Sequence, residues 1–364
     1  MTMNTGANVP GLASESLDIE HLVEIARDLE RRGELGEALA RFTEALNALP
    51  MQPSTLRADV VRWIGTVRRE MGDTAAAESL YRESLRVAQA ASYLVGEAHA
   101  VNCLAIVTQR RGEVEHAATL YRRAARLAAL GREHRLSGMI EQNLGVLANI
   151  RGDLDGALVR YRAALSAFET AGDKEGMSWV MNNIGMLQTD MKAFDEARLS
   201  LATGLAIAVE RGDLRMEGLF QLNLAESYIS EGRWDDADAP CERALEIASR
   251  RGDSLRRADA LRFLAILSRE RHDFAAARRY LDDALWMARE GEDTLLVAEI
   301  LKETGTTRQR EGSPKEARAA WQAAAGLFRS LDAALDAAAV EEQIAALPPS
   351  AANDGADRAP RGAS

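Results

Sequence analysis

Two stretches decide how this chain folds: RGEVEHAATLYRRAARLAALG at 111–131 and RGDLDGALVRYRAALSAFETAG at 151–172. Shifted by 40 residues they match, Gly112 on Gly152, Ala117 on Ala157, Tyr121 on Tyr161 and Ala124 on Ala164. The same punctuation recurs outward in both directions. Short turn signals stand as RGEL, MGDT, RGEV, RGDL, MKAF, EGRW, RHDF and EGSP. Their second residues are Gly33, Gly72, Gly112, Gly152, Lys192, Gly232, His272 and Gly312, spaced by 39 once and by 40 thereafter. A fixed period of this length marks a stacked-repeat architecture.

With that residue as the origin of each repeat, the columns become plain. Five residues on stand Ala38, Ala77, Ala117, Ala157, Ala197, Ala237, Ala277 and Ala317. Nine on come Phe42, Tyr81, Tyr121, Tyr161, Leu201, Cys241, Leu281 and Trp321, mostly large and apolar. Twelve on, every residue is small, from Ala45 to Ala324. Seven before the origin all are again small, as Gly65, Gly145, Gly185 and Gly305 illustrate. Small residues at fixed helical positions let two helices approach while large neighbours fill the grooves. Each unit therefore reads as helix A, a turn whose glycine takes positive φ, then helix B. Lys192 and His272 replace that glycine, which predicts strained or different turns there. A second punctuation, at Gly131, Gly172, Gly212, Gly252 and Gly291, is expected to stop helix B, with Asp173, Asp213, Asp253 and Asp293 capping the next helix A.

The columns resemble the tetratricopeptide repeat (TPR), in the long-repeat subclass seen in kinesin light chains and in sensor regions of bacterial regulators. The resemblance covers Ile25 to Trp321. It implies an all-α, right-handed α-solenoid of about eight helix-turn-helix units plus a C-terminal capping helix. The expected organisation is a disordered segment at 1–15, a solenoid at 16–347 with its cap at 336–347, and a disordered tail at 348–364.

Composition narrows function by exclusion. Aromatics are 5% of the chain and prolines only 8, which suits helix rather than sheet. The net charge of −11 is interleaved rather than blocked, so no basic stripe suggests nucleic acid and no anionic membrane is favoured. No apolar run approaches the roughly 20 residues of a membrane span, and no signal peptide is visible. A cytoplasmic location is the default expectation. Cys103 and Cys241 lack a CxxC partner and read as buried free thiols. The five histidines are scattered and read as surface or turn residues. No phosphate loop, nucleophile elbow or zinc motif occurs, so no catalytic residue, metal or cofactor is expected.

The family resemblance places the groove on one face of helix A, the residues 10, 6 and 3 before the origin flanked by the residue 9 before. In the middle repeats this face is rich in amides: Asn102, Gln142, Asn143, Asn149, Asn182, Asn183 and Asn223, with Met186 beside them and Trp179 one turn away. An amide donates and accepts at once, so a ladder of them can hold an extended peptide backbone. Asparagines at matching positions of long-repeat relatives clamp peptide backbones, which the resemblance extends to Asn143, Asn183 and Asn223. The same amides could instead bond the adjacent repeat and hold the stack together. Charged residues flank the ladder, Arg62 and Arg69 on one side and Arg262, Arg269 and Lys302 on the other. The expectation is a non-enzymatic adaptor or scaffold for a protein or peptide partner. Two alternatives stay open: a peptide-responsive regulatory sensor, and self-assembly into a homo-oligomer.

Overall fold

The computed structural model describes residues 12–347, with side chains from residue 19 onward. Residues 1–11 and 348–364, which include most of the segments expected to be disordered, lie outside the described residues. Seventeen helices and no strand occur among the described residues. The chain divides into two compact units, the first ending at Val180 and the second beginning at Met181.

The first unit contains α1 (Leu12–Arg32), α2 (Leu35–Ala48), α3 (Thr55–Glu70), α4 (Thr74–Ala90), α5 (Leu94–Arg110), α6 (Val114–Gly131), α7 (His134–Ile150) and α8 (Leu154–Ala171). Helix α9 (Lys174–Asp190) spans the boundary. The second unit continues with α10 (Phe194–Glu210), α11 (Leu214–Glu231), α12 (Trp234–Arg251), α13 (Ser254–Glu270), α14 (Phe274–Glu290), α15 (Thr294–Arg310), α16 (Pro314–Ser330) and α17 (Ala334–Ala346). The odd-numbered helices α1 to α15 are the A helices and the even-numbered ones the B helices. From α1 to α8 and from α10 to α17 every helix packs on its sequence neighbours, and A helices also touch the next A helix, as α3 does α5 and α13 does α15. This is an α-solenoid of stacked helical hairpins, closed at the C-terminal side by α17 on α16.

The repeat columns explain the packing. All eight alanines five residues after the turn are completely buried. All eight residues nine after the turn are buried as well, including Phe42, Tyr81 and Trp321. Where the small residue of helix A is glycine, at Gly65, Gly145, Gly185 and Gly305, the large side chain of its own repeat rests on it. A Cβ added to Gly145 would stand 2.5 Å from the Tyr161 ring, and one on Gly305 would collide with the Trp321 indole. The small column is thus small because the large column lies against it. Full burial of each large side chain is worth about 1.5–3 kcal/mol, so the hairpin interface is the main stabilising contact of each repeat.

The turns follow the expected geometry, with an instructive exception. The six turn glycines have φ between 76° and 88°. Lys192 and His272 adopt the same left-handed conformation, with φ of 60° and 62°. They also keep the same closing bonds, His272 N–H donating to Arg269 O at 2.9 Å and Lys192 N–H to Thr189 O at 2.9 Å. The geometry is conserved and the cost, about 1–2 kcal/mol for a non-glycine residue, is absorbed by the two hairpins. The second punctuation departs from expectation at two of its five positions. Gly172, Gly212 and Gly252 take positive φ, but after α6 and α14 it is Arg132 and Glu292 that do so, at 55° and 54°. Gly131 and Gly291 instead admit the side chains of Val95 and Leu255, which a Cβ would crowd at 2.9 and 2.5 Å. The aspartate caps form as expected: Asp173, Asp213, Asp253 and Asp293 accept from the backbone N–H three residues on. Both cysteines are buried free thiols.

Candidate binding site on the A-helix faces

In the first unit, the amides of the A face meet across neighbouring repeats. Asn143 Nδ2 on α7 donates to Asn102 Oδ1 on α5 at 3.3 Å. Asn102 is buried, and Asn143 and Gln142 are half-buried. Asn149 is exposed. Trp179 is half-buried and already engaged within the chain. In the second unit the pairing repeats with better geometry. Asn223 Nδ2 on α11 donates to Asn182 Oδ1 on α9 at 2.6 Å, and both residues are buried. Asn182 Nδ2 in turn reaches Met186 Sδ at 3.3 Å. Met186 itself is 43% exposed and so lies outside the core. Asn183 is half-buried. Among the described residues neither Gln142 nor Asn183 has a side-chain hydrogen-bond partner within the chain. Four of the amides therefore tie consecutive A helices together, while Gln142 and Asn183 keep their capacity to donate and accept.

The first unit also holds a charged cavity of about 420 Å³ on the faces of α1, α3, α5 and α7. Four guanidiniums line it, those of Arg27, Arg62, Arg69 and Arg135, against two carboxylates, Glu30 and Asp59. Asp59 is already committed: it accepts from Arg62 Nη2 at 2.9 Å and from the Tyr93 hydroxyl at 3.1 Å. Trp63 forms a floor, stacked on Phe42 at 5.8 Å, with Arg27 and Arg62 4.7 and 5.4 Å from its ring centroid. Such contacts stabilise a cation without neutralising it. The Nε atoms of Arg27, Arg62 and Arg69 are all buried and without a hydrogen-bond partner. Burial lowers the Arg27 pKa, partly offset by Glu30, and the Arg62 charge lowers it further. His99, on the cavity wall, is pushed down to about 3 by burial and by the charges of Arg62, Arg135 and Arg27. It is neutral at physiological pH, and it is not the surface histidine expected from sequence.

In the second unit Arg269 of α13 is buried and Arg262 half-buried, and both are compensated. Arg262 Nε and Nη2 both donate to Asp259 Oδ1, at 3.1 and 2.7 Å, and Glu299 Oε2 lies 3.4 Å from Nη2. Despite burial, the charges of Asp259 and Glu299 raise its pKa. Arg269 donates to Glu303 at 2.6 Å and to Glu270 at 3.2 Å. Arg262 and Arg269, which flank the amide ladder in sequence, are thus paired within the chain. Glu226 and Glu299 are both raised, chiefly by burial.

Asp59, His99, Asp259 and Glu299 were missed by the sequence reading, although a signal for them existed. They all belong to the column 13 before the turn, which also contains Trp179. One helical turn separates that column from the column 10 before, so both share a face. Arg27 and Glu30 are the equivalents, in the first repeat, of columns 6 and 3 before the turn.

The fold thus defines a helical-hairpin repeat protein whose polar A faces carry its buried amides and charges. Residues 218–290 match the family model described as Tetratricopeptide repeat, and helical hairpins at the same 40-residue spacing precede and follow that stretch. No curated protein matches the sequence. Similar solved structures share the fold at low identity. A Rap protein complexed with competence and sporulation factor is 13% identical, with a TM-score of 0.58 over 90% of this chain and 96% of that one. The apo form of the quorum sensor NprR from B. thuringiensis is 11% identical, with a TM-score of 0.60 over 90% and 98%. A signal-transduction ATPase with a tetratricopeptide repeat sensor from Pyrococcus horikoshii is 14% identical, with a TM-score of 0.61 over 93% of this chain and 53% of that one.

Proposed function

We propose that the protein is a non-catalytic adaptor or scaffold that holds an extended segment of a protein partner against its A-helix faces. The observation that carries this reading is the split among the amides. Four are spent on joining repeats, whereas Gln142 and Asn183 remain half-buried with unspent donors and acceptors. Exposed Met186, one turn from Asn183, supplies an apolar contact for a peptide side chain. Backbone capture by amides suits a partner in extended conformation, since each side chain can serve one N–H and one C=O.

A peptide-responsive sensor is the second reading. It is supported by the likeness in fold to the Rap protein solved with competence and sporulation factor and to the quorum sensor NprR. Binding of the full chain to an array of ten-residue peptides tests the shared core of both readings. A Gln142→Ala/Asn183→Ala double variant is expected to keep its fold, because neither side chain hydrogen-bonds a neighbour, and to lose peptide affinity by about tenfold. Undiminished binding by the folded variant would remove the proposed face. Small-angle scattering with and without bound peptide separates the readings: an adaptor keeps its profile and a sensor changes it.

A further inference from the structure

The outward faces of the B helices carry a charge pattern that the linear sequence conceals, because its members stand 40 residues apart. Positions 10 and 14 after each turn lie one helical turn apart on a B helix, on the side away from the buried columns. In the first unit they hold Arg82 and Arg86 on α4, Arg122 and Arg126 on α6, and Arg162 on α8, with no carboxylate. In the second unit the same two columns hold Glu242 and Glu246 on α12 and Asp282 on α14, with no cation. All of these residues are exposed. Two are spent within the chain, Arg82 on Glu78 at 2.6 Å and Glu246 on Arg243 at 2.7 Å. Among the described residues Arg86, Arg122, Arg126, Arg162, Glu242 and Asp282 have no ion-pair partner. The flanking columns carry both signs in both units, Asp155 and Arg279 among them. Arg122 and Arg126, four residues apart, repel each other on their own helix, and nothing in the chain neutralises either. Each face also exposes apolar area. Leu130, four residues after Arg126, is 71% exposed, and Trp286, four after Asp282, is 64% exposed. An indole beside a carboxylate is a seat for a guanidinium, which stacks on the ring while it pairs with the acid.

From this complementarity we propose that the chain self-associates through its B faces, the arginine face of the first unit in one copy against the carboxylate face of the second unit in another. The occupant is a second copy because the same two columns hold both halves of the match, cations in one unit and carboxylates with Trp286 in the other. The contact lies on the B helices and does not use the A faces, so it stands whether or not a peptide binds there.

Sedimentation velocity of the full chain tests the proposal. At about 100 μM the chain is expected to self-associate in low salt, and raising the salt to about 0.5 M should weaken the association by about tenfold or more. Arg122→Glu with Arg126→Glu sets carboxylates against carboxylates and should abolish self-association. Glu242→Lys with Asp282→Lys sets cations against cations and should do the same. A one-to-one mixture of the two variants restores both matches and should recover the association. All four substituted positions are exposed, and circular dichroism verifies that each variant is folded. A wild-type chain that stays monomeric in low salt would overturn the proposal, and so would folded variants whose mixture fails to associate. Retention of a DNA duplex by a monomeric wild-type chain, lost in Arg122→Glu/Arg126→Glu, would also overturn it, by assigning the arginine face to a polyanion.

Discussion

The α3 and α13 regions carry the same pair of arginines at the same places in their repeats, yet hold them in opposite ways. Around α13 each guanidinium is closed by carboxylates from its own helix and from α15. Around α3 the neighbouring helix contributes His99 and Cys103, and donors go unspent. A buried arginine costs desolvation in either place, and the question is what compensates it. In one region the chain compensates itself. In the other, Asp59 and the Trp63 ring serve Arg62, Glu70 stands 3.5 Å from Arg69, and the neighbouring helix adds no carboxylate to either. Repeats that share an arginine pair can therefore differ in what the neighbouring helix sets against it.

The largest expected effect is at the closed region. Glu303→Ala leaves Arg269 buried with Glu270 alone and should cost about 3 kcal/mol in urea denaturation. Cys103→Ala, at the matching position, removes only a small buried thiol and should cost about 1 kcal/mol. Equal costs would erase the distinction between the regions.

A second, smaller effect is acid sensitivity. His99 has its pKa depressed to about 3 in the folded chain, while the unfolded value is about 6.5. The unfolded state therefore binds the proton first. The contribution of His99 is complete above about pH 6.5 and is lost as pH falls toward 3, by roughly 1–2 kcal/mol at pH 5. Its counterpart Glu299 has the opposite sign. Burial raises its pKa, so the cost of its charge is relieved as pH falls into the carboxylate range. Replacing His99 by Asn should flatten the loss of stability between pH 6.5 and 5, as thermal unfolding across that window will show. An unchanged slope would mean that His99 is solvated.

The amide pairs give the finest comparison. Asn223→Ala removes a buried 2.6 Å bond and strands Asn182, for an expected loss of about 1–2 kcal/mol. Asn143→Ala breaks a 3.3 Å bond on a half-buried residue and should cost about 0.5–1 kcal/mol. Thermal denaturation of the two single variants orders them; the reverse order would show that hydrogen-bond length and burial do not set the strength of these ties.

The hairpin fold was legible because its determinants are local and repeated. Ala117 and Tyr121 declare one register, and seven further copies confirm it. A column of small residues opposite a large column means close helix packing, as Gly145 under Tyr161 shows. The turn geometry at Lys192 and His272 was less legible, since their sequences lack the glycine and only the neighbouring hairpins impose positive φ. The site was read only in part. Its amides were visible as a column, but whether they face a ligand or each other depends on the spacing of successive A helices. That spacing turns Asn102 and Asn143, 41 residues apart, into a bonded pair.

By itself, then, the sequence determined the repeat length, the hairpin, the buried columns and the polar face, because a periodic pattern repeats the same short-range constraint many times over. Only tertiary structure decided which polar residues are spent. Asn182 against Asn223 and Arg269 against Glu303 are contacts between helices a full repeat apart, and Arg69 shares a cavity wall with Cys103 of the next repeat. Whether a donor there is satisfied or left over follows from distance and burial, which no column of letters contains.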